Sequence, residues 1–147
     1  MTELRFKLIL FMGLWLQTAY TKCTSTTEHT CVDGGWAPLA QMEQGVRRGH
    51  CSAELQGSVY VVGGTGATND LNERYKPDPE HWSAVANMGS KRDLRPAAGA
   101  VGGKLYVAGG YGFSAEFLSS AEFFNPLNGS WTAITSMTTP RYLTAGV

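Results

Sequence analysis

Short apolar runs separated by glycine-containing turns fill the chain from residue 50 onward. Val59-Tyr60-Val61-Val62 and Leu105-Tyr106-Val107-Ala108 are apolar at every position, the pattern of a strand covered on both faces. Together with their flanks they predict two sets of four strands. The first set spans 50–56, 58–62, 71–75 and 82–86; the second spans 97–101, 104–108, 119–124 and 131–135. Gln56-Gly57 and Gly102-Gly103 suit tight hairpins, and Pro77-Asp78-Pro79 and Asn128-Gly129 suit the connections that follow. Ahead of these sets, Arg5 and Lys7 precede an apolar run from Leu8 to Leu16, and Ala19 and Thr21 are the small residues of a cleavage site after Thr21. A basic start, an apolar core and small residues are the form of a secretory signal peptide, so residues 1–21 are read as one. The run is too short for a stable membrane span, which needs about 20 residues. A buried strand or helix is the plainer alternative.

The two sets are copies of one unit. Trp36, Trp82 and Trp131 lie 46 and then 49 residues apart, each with Met six positions on (Met42, Met88, Met137). Gly57-Ser58-Val59-Tyr60-Val61-Val62-Gly63-Gly64 matches Gly103-Lys104-Leu105-Tyr106-Val107-Ala108-Gly109-Gly110, and Glu73-Arg74-Tyr75 matches Glu122-Phe123-Phe124. Arg92 and Arg141 each follow their Met by four; in the first copy Arg47 and Arg48 come slightly later. The second copy is three residues longer, and the extra length falls within Tyr111 to Ser119, where a loop absorbs it cheaply.

Composition agrees with a turn-rich sheet protein: 18 Gly and 11% aromatic residues in 147. Lys and Arg number 12, as do Asp and Glu, a balance that argues against nucleic acid or an acidic membrane as partner. Of the three cysteines, Cys23 and Cys31 could close a small loop if the chain is secreted, leaving Cys51 over. No Cys or His spacing suggests a metal site, and no cofactor is implied. Asn128-Gly129-Ser130 is a glycosylation acceptor in a secreted chain and an Asn-Gly turn otherwise.

The recurring set Gly63-Gly64, Tyr75, Trp82 and Gly109-Gly110, Phe124, Trp131 closely resembles the kelch repeat, over Gly35 to Val147. The resemblance implies an all-β fold: a partial kelch-type β-propeller with four-stranded antiparallel blades and an incomplete ring. In that reading the Gly pairs leave room for aromatic rings, which wedge one sheet against the next. Residues 22–34 are a polar linker, 35–42 a lone strand, 43–88 the first blade, 89–137 the second, and 138–147 the start of a third. Propellers need about four to eight blades, so this reading takes the chain as a partial form, or one that completes its ring in trans as an oligomer.

Kelch propellers mostly serve as recognition platforms through loops around the central channel. The resemblance therefore implies a non-enzymatic protein-binding module, secreted or at the cell surface given the leader. The alternative is a cytoplasmic piece of a ubiquitin-ligase adaptor lacking its BTB domain; an oxidase or sugar-processing fragment ranks below both. Partner contacts are expected at Tyr111 and Phe113 in a loop after a Gly pair, and at Arg92, Arg95 and Arg141 in turns between repeats. A repeated arginine could instead pair with a blade carboxylate such as Glu73 or Glu122. The loop from Thr65 to Asp70 is a further candidate. His29, His50 and His81 share no ligand spacing, and neither a Ser/His/Asp set nor a phosphate-binding Gly/Lys run is present.

Overall fold

The computed structural model describes residues 40–43, 47–65 and 71–144 in full, and the backbone of the strands before them. The chain divides into two compact units, Met1–Gln41 and Met42–Val147.

In the first unit, β1 (Leu4–Met12), β2 (Trp15–Thr26), β3 (Glu28–Val32) and β4 (Trp36–Pro38) form one antiparallel sheet, with β2 pairing to each of the others. Two expectations change here. Residues 22–34, read as a linker, fall largely in β2 and β3; Thr21, Thr24, Thr26 and Thr30 are β-branched and favour extended backbone. The strand expected at Trp36 is shorter than 35–42 and is not alone, since it pairs with β2. The β2–β3 register sets Cys23 opposite Cys31.

The second unit holds both blades. Strands β5 (Cys51–Leu55), β6 (Ser58–Val62), β7 (Asn72–Pro77) and β8 (Glu80–Val85) form a meander in chain order. Strands β9 (Ala97–Val101), β10 (Lys104–Ala108), β11 (Ala121–Asn125) and β12 (Ser130–Ile134) repeat it. At Gln56-Gly57 (φ 54° and 73°) and Gly102-Gly103 (φ 57° and 72°) both central residues are left-handed, the turn whose twist matches the flanking strands. The β7–β8 ladder runs on to Pro77 opposite Glu80, so that hairpin is tighter than expected. The three extra residues of the second copy lie between β10 and β11. Residues 138–144 carry no strand; residues 145–147 lie outside the described part.

The core lies between the two blades. Leu55, Tyr60, Val62 and Met88 from the first meet Ala98, Leu105, Val107 and Phe124 from the second. Tyr60 and Phe124 ring centroids are 5.8 Å apart, and the Trp131 indole Nε1–H donates across to the Ala86 carbonyl at 2.7 Å. Each blade carries the same aromatic pair: Tyr75–Trp82 at 5.2 Å and 48°, Phe124–Trp131 at 5.3 Å and 44°. Each ring thus meets its cross-strand neighbour in a tilted contact.

Candidate functional site

Two of the repeated arginines, Arg47 and Arg92, are buried in ion pairs. Arg47, just before β5, donates from Nη2 to Glu73 on β7 at 2.5 Å and from Nη1 to the Leu71 carbonyl at 2.6 Å. Arg92, just before β9, makes the equivalent contacts: Nε and Nη2 to Glu122 at 3.2 and 3.0 Å, and Nη1 to the Gly109 and Ser120 carbonyls at 2.9 Å each. Glu122 also accepts from the backbone N–H groups of Gly89 and Ser90, so it ties the inter-blade connection to the second blade. Arg92 is 1% exposed and its donors are committed to the framework. The expectation that Arg92 contacts a partner is therefore corrected: it is the buried half of a salt bridge with Glu122.

The paired glycines are all left-handed, as a sharp backbone turn requires, but the room they leave is not filled by the aromatic rings expected there. At Gly63 and Gly109 a side chain would run into the carbonyls of Arg92 and Arg141, and both glycines are left-handed (φ 68° and 70°). The space is kept for the backbone of the next connection, not for aromatic rings. Gly64 and Gly110 then donate to those same carbonyls at 2.9 and 2.8 Å.

This close approach builds a rim of connecting segments. Arg48 bridges Thr65, Asp93 bridges Tyr111, and Tyr111 bridges Phe117. Arg95 N–H donates to the Gly49 carbonyl, Leu143 N–H to Leu94, and Thr144 N–H to Arg95, at 2.7, 2.9 and 3.1 Å. On this frame Phe117 stacks on Tyr142 (4.3 Å, 12°) and meets Tyr111 at 5.5 Å. Phe113 is 78% exposed, with the Lys91 ammonium 5.0 Å from its ring centre.

The residue two places after each arginine is left-handed: Gly49 (φ 69°), Leu94 (φ 48°) and Leu143 (φ 51°). Glycine takes this conformation freely, whereas a leucine is strained there by about 1–3 kcal/mol. Both leucines are exposed, so burial does not offset the strain.

Of the expected contact residues, Tyr111 is half-buried on the rim, and Phe113, Arg95 and Arg141 are exposed. Sequence reasoning missed Leu94, Phe117, Tyr142 and Leu143. The signal was available for the leucines, because the arginine register aligns Leu94 with Leu143. Phe117 sits in the unmatched insertion and had no counterpart to flag it. Residues 66–70 of the other expected loop lie outside the described residues. Asn128 is exposed in the β11–β12 turn, its Oδ1 accepting from Ser130.

Titratable groups nearby are set for structure. Burial pushes the Cys51 thiol up to about 12, so near neutral pH it is a protonated, unreactive group. Burial, then the positive charge of Arg47, pulls His50 below its usual value and favours the neutral ring. Among the described residues no three His, Cys, Asp or Glu side chains converge as a metal site, and no helix is long and apolar enough to cross a membrane.

Comparison with known proteins matches this arrangement. The Kelch motif family model covers residues 47–89 and 94–138. An N-acetylneuraminate epimerase of Pasteurella multocida is 34% identical over 110 residues, 71% of this chain and 28% of that protein. Kelch-like protein 23 of Homo sapiens is 31% identical over 87 residues, 58% of this chain and 15% of that one. An F-box/kelch-repeat protein of Arabidopsis thaliana is 35% identical over 89 residues, 60% and 23%. The chain thus spans less than a third of the length of these relatives. Among solved structures, YjhT superposes with a TM-score of 0.63 at 17% identity, over 93% of this chain and 52% of its own. With its two matched repeats folded as two consecutive four-stranded blades, the chain belongs to the kelch-repeat family.

Proposed function

We propose that this chain is a non-enzymatic protein-binding module that engages its partner through the rim formed by Leu94, Phe113, Phe117, Tyr142 and Leu143. The observation that carries the reading is the pair of leucines held exposed in strained backbone, beside an open aromatic stack. Strain that burial does not offset points to use at the surface. Aromatic rings are the anchors most favoured at protein interfaces. Arg48, Arg95 and Arg141 are exposed on the same connections and add positive charge, which suits a partner segment carrying carboxylates. The test is affinity capture with the full chain and with a Phe113→Ala/Phe117→Ala/Tyr142→Ala variant of unchanged thermal stability. Partners that bind the full chain are expected to bind the variant at least ~10-fold more weakly, the scale of one or more lost hot spots. Equal capture would remove the rim from the reading. Interconversion of N-acetylneuraminate by the purified chain, followed by NMR, would replace it with the activity for which one relative is named.

The basic start and apolar run of residues 1–16, with the exposed acceptor Asn128, support a secreted form. Expressed in animal cells, the chain is expected in the medium with its N-terminus beginning at Lys22, and Asn128→Gln is expected to remove a glycan from it. Cytosolic protein retaining Met1, read by mass spectrometry, would favour the intracellular adaptor reading instead.

A further inference from the structure

The three cysteines, Cys23, Cys31 and Cys51, allow one pair at most to close within the chain. Cys51 opens β5 in the second unit and packs against the core between the blades. Its thiol donates to the Val62 carbonyl at 3.7 Å, and burial keeps it protonated near neutral pH. Such a thiol takes little part in disulfide exchange, because the thiolate is the reacting species. Cys23 and Cys31 stand differently. The β2–β3 ladder runs from Lys22 opposite Val32 to Thr26 opposite Glu28, and it sets Cys23 directly across from Cys31. Residues directly opposed in an antiparallel ladder share one face of the sheet, with Cα atoms ~4.5–5.5 Å apart, inside the ~4.4–6.8 Å that a disulfide spans. The pair also stands at a base. Among the described residues β1 reaches β2 only as far as Cys23, and β4 pairs with Gln17 to Ala19. From Thr24 to Thr30 the sheet is a ribbon of two strands, and every residue in that stretch is polar. A two-stranded ribbon without an apolar face is marginal in water by itself.

We infer that Cys23 and Cys31 are a redox modification site: they join in an intrachain disulfide at the base of the β2–β3 ribbon, while Cys51 remains a thiol. The step is exchange with a small-molecule disulfide of the glutathione class. The thiolate of one cysteine attacks a sulfur of that oxidant, forms a mixed disulfide and releases one glutathione thiolate. The second cysteine, deprotonated in turn, attacks the sulfur of the first, forms the Cys23–Cys31 bond and releases the second glutathione. Two electrons pass to the oxidant, and the protons given up by the two cysteines end on the two glutathione thiols. The ladder favours the second attack, since it holds the partner residue opposite. The bond acts as a latch on residues 24–30, closed under oxidising conditions and opened by a thiol reductant. The pairing is independent of the rim and of any partner bound there.

The test reduces the full chain, removes the reductant and exposes the protein to glutathione disulfide at neutral pH. Free thiols are then alkylated in denaturant, and the chain is digested with trypsin for mass spectrometry. The peptide from Cys23 to Arg47 is expected without alkyl or glutathione groups and lighter by two hydrogens than its reduced form, with Cys51 alkylated. Cys51→Ser is expected to leave that peptide unchanged, whereas Cys23→Ser is expected to leave glutathione or an alkyl group on Cys31. In the unaltered chain, alkylation of both Cys23 and Cys31, glutathione retained on either, or a link from either to Cys51 or to a second chain would each overturn the inference. A glutamate-specific protease then reads the latch. It is expected to cut after Glu28 at least ~5-fold more slowly in the oxidised chain than in the reduced one, since a constrained ribbon opens less often. Equal cutting would show that the bond does not order the ribbon and would overturn its role as a latch.

Discussion

Glu122 shows how one carboxylate can fix a whole connection. It is buried, and it accepts from two backbone N–H groups at 2.8 and 3.3 Å as well as from Arg92. Desolvating such a pair costs several kcal/mol, and the full set of hydrogen bonds offsets that cost. Removing one partner leaves the other charge buried and uncompensated. Glu122→Gln is therefore expected to lower unfolding stability by about 3–5 kcal/mol in urea titration. Arg141→Ala, at the equivalent arginine but exposed, is expected to change it by less than about 0.5 kcal/mol. A double replacement of Arg92 and Glu122 by Met and Leu is expected to recover only part of the loss, because it removes the stranded charge but leaves the N–H groups of Gly89 and Ser90 and the carbonyls of Gly109 and Ser120 without these partners. A small effect of Glu122→Gln would mean that water reaches the pair and that the arginine is not a structural staple.

At the level of strands and turns, the chain wrote most of its fold openly. The hairpins at Gln56-Gly57 and Gly102-Gly103 need two left-handed residues each, and glycine supplies one or both. The strands in the two blades lie within two residues of where the apolar runs put them, because β6 is buried at all but one position and β10 buries Leu105 and Val107. Two parts were hidden. The use of Gly63 and Gly109 was misread, since the group they admit is a backbone carbonyl nearly thirty residues or more downstream, and a carbonyl has no signature in sequence. The rim was half-read: Tyr111 and Phe113 stood out by their place after a glycine pair, but the Phe117–Tyr142 stack joins an insertion to a segment after the last strand. Nothing in the local pattern of either segment refers to the other. Arg92 and Arg141 looked alike in the chain. What separates them is whether a neighbouring blade brings a glutamate, and that is a property of the array rather than of the repeat.

Across the second unit as a whole, stability resides in the seam between blades. Leu105 and Val107 on β10 lie against Tyr60 and Val62 on β6 in one cluster, and the Trp131–Ala86 hydrogen bond crosses the same seam. In a repeat array each unit is stabilised mainly through its neighbour interface, so two blades sharing one core should unfold together. Leu105 is fully buried in that core. Leu105→Ala is expected to cost about 2–5 kcal/mol, as for other large-to-small changes in packed interiors. Hydrogen exchange should show amide protection falling in β6 and β7 of the first blade as well as in β10 and β11, by a similar factor. Protection lost from the second blade alone would show that each sheet stands by itself, and the seam would then be a contact between independently stable blades rather than the element on which both depend.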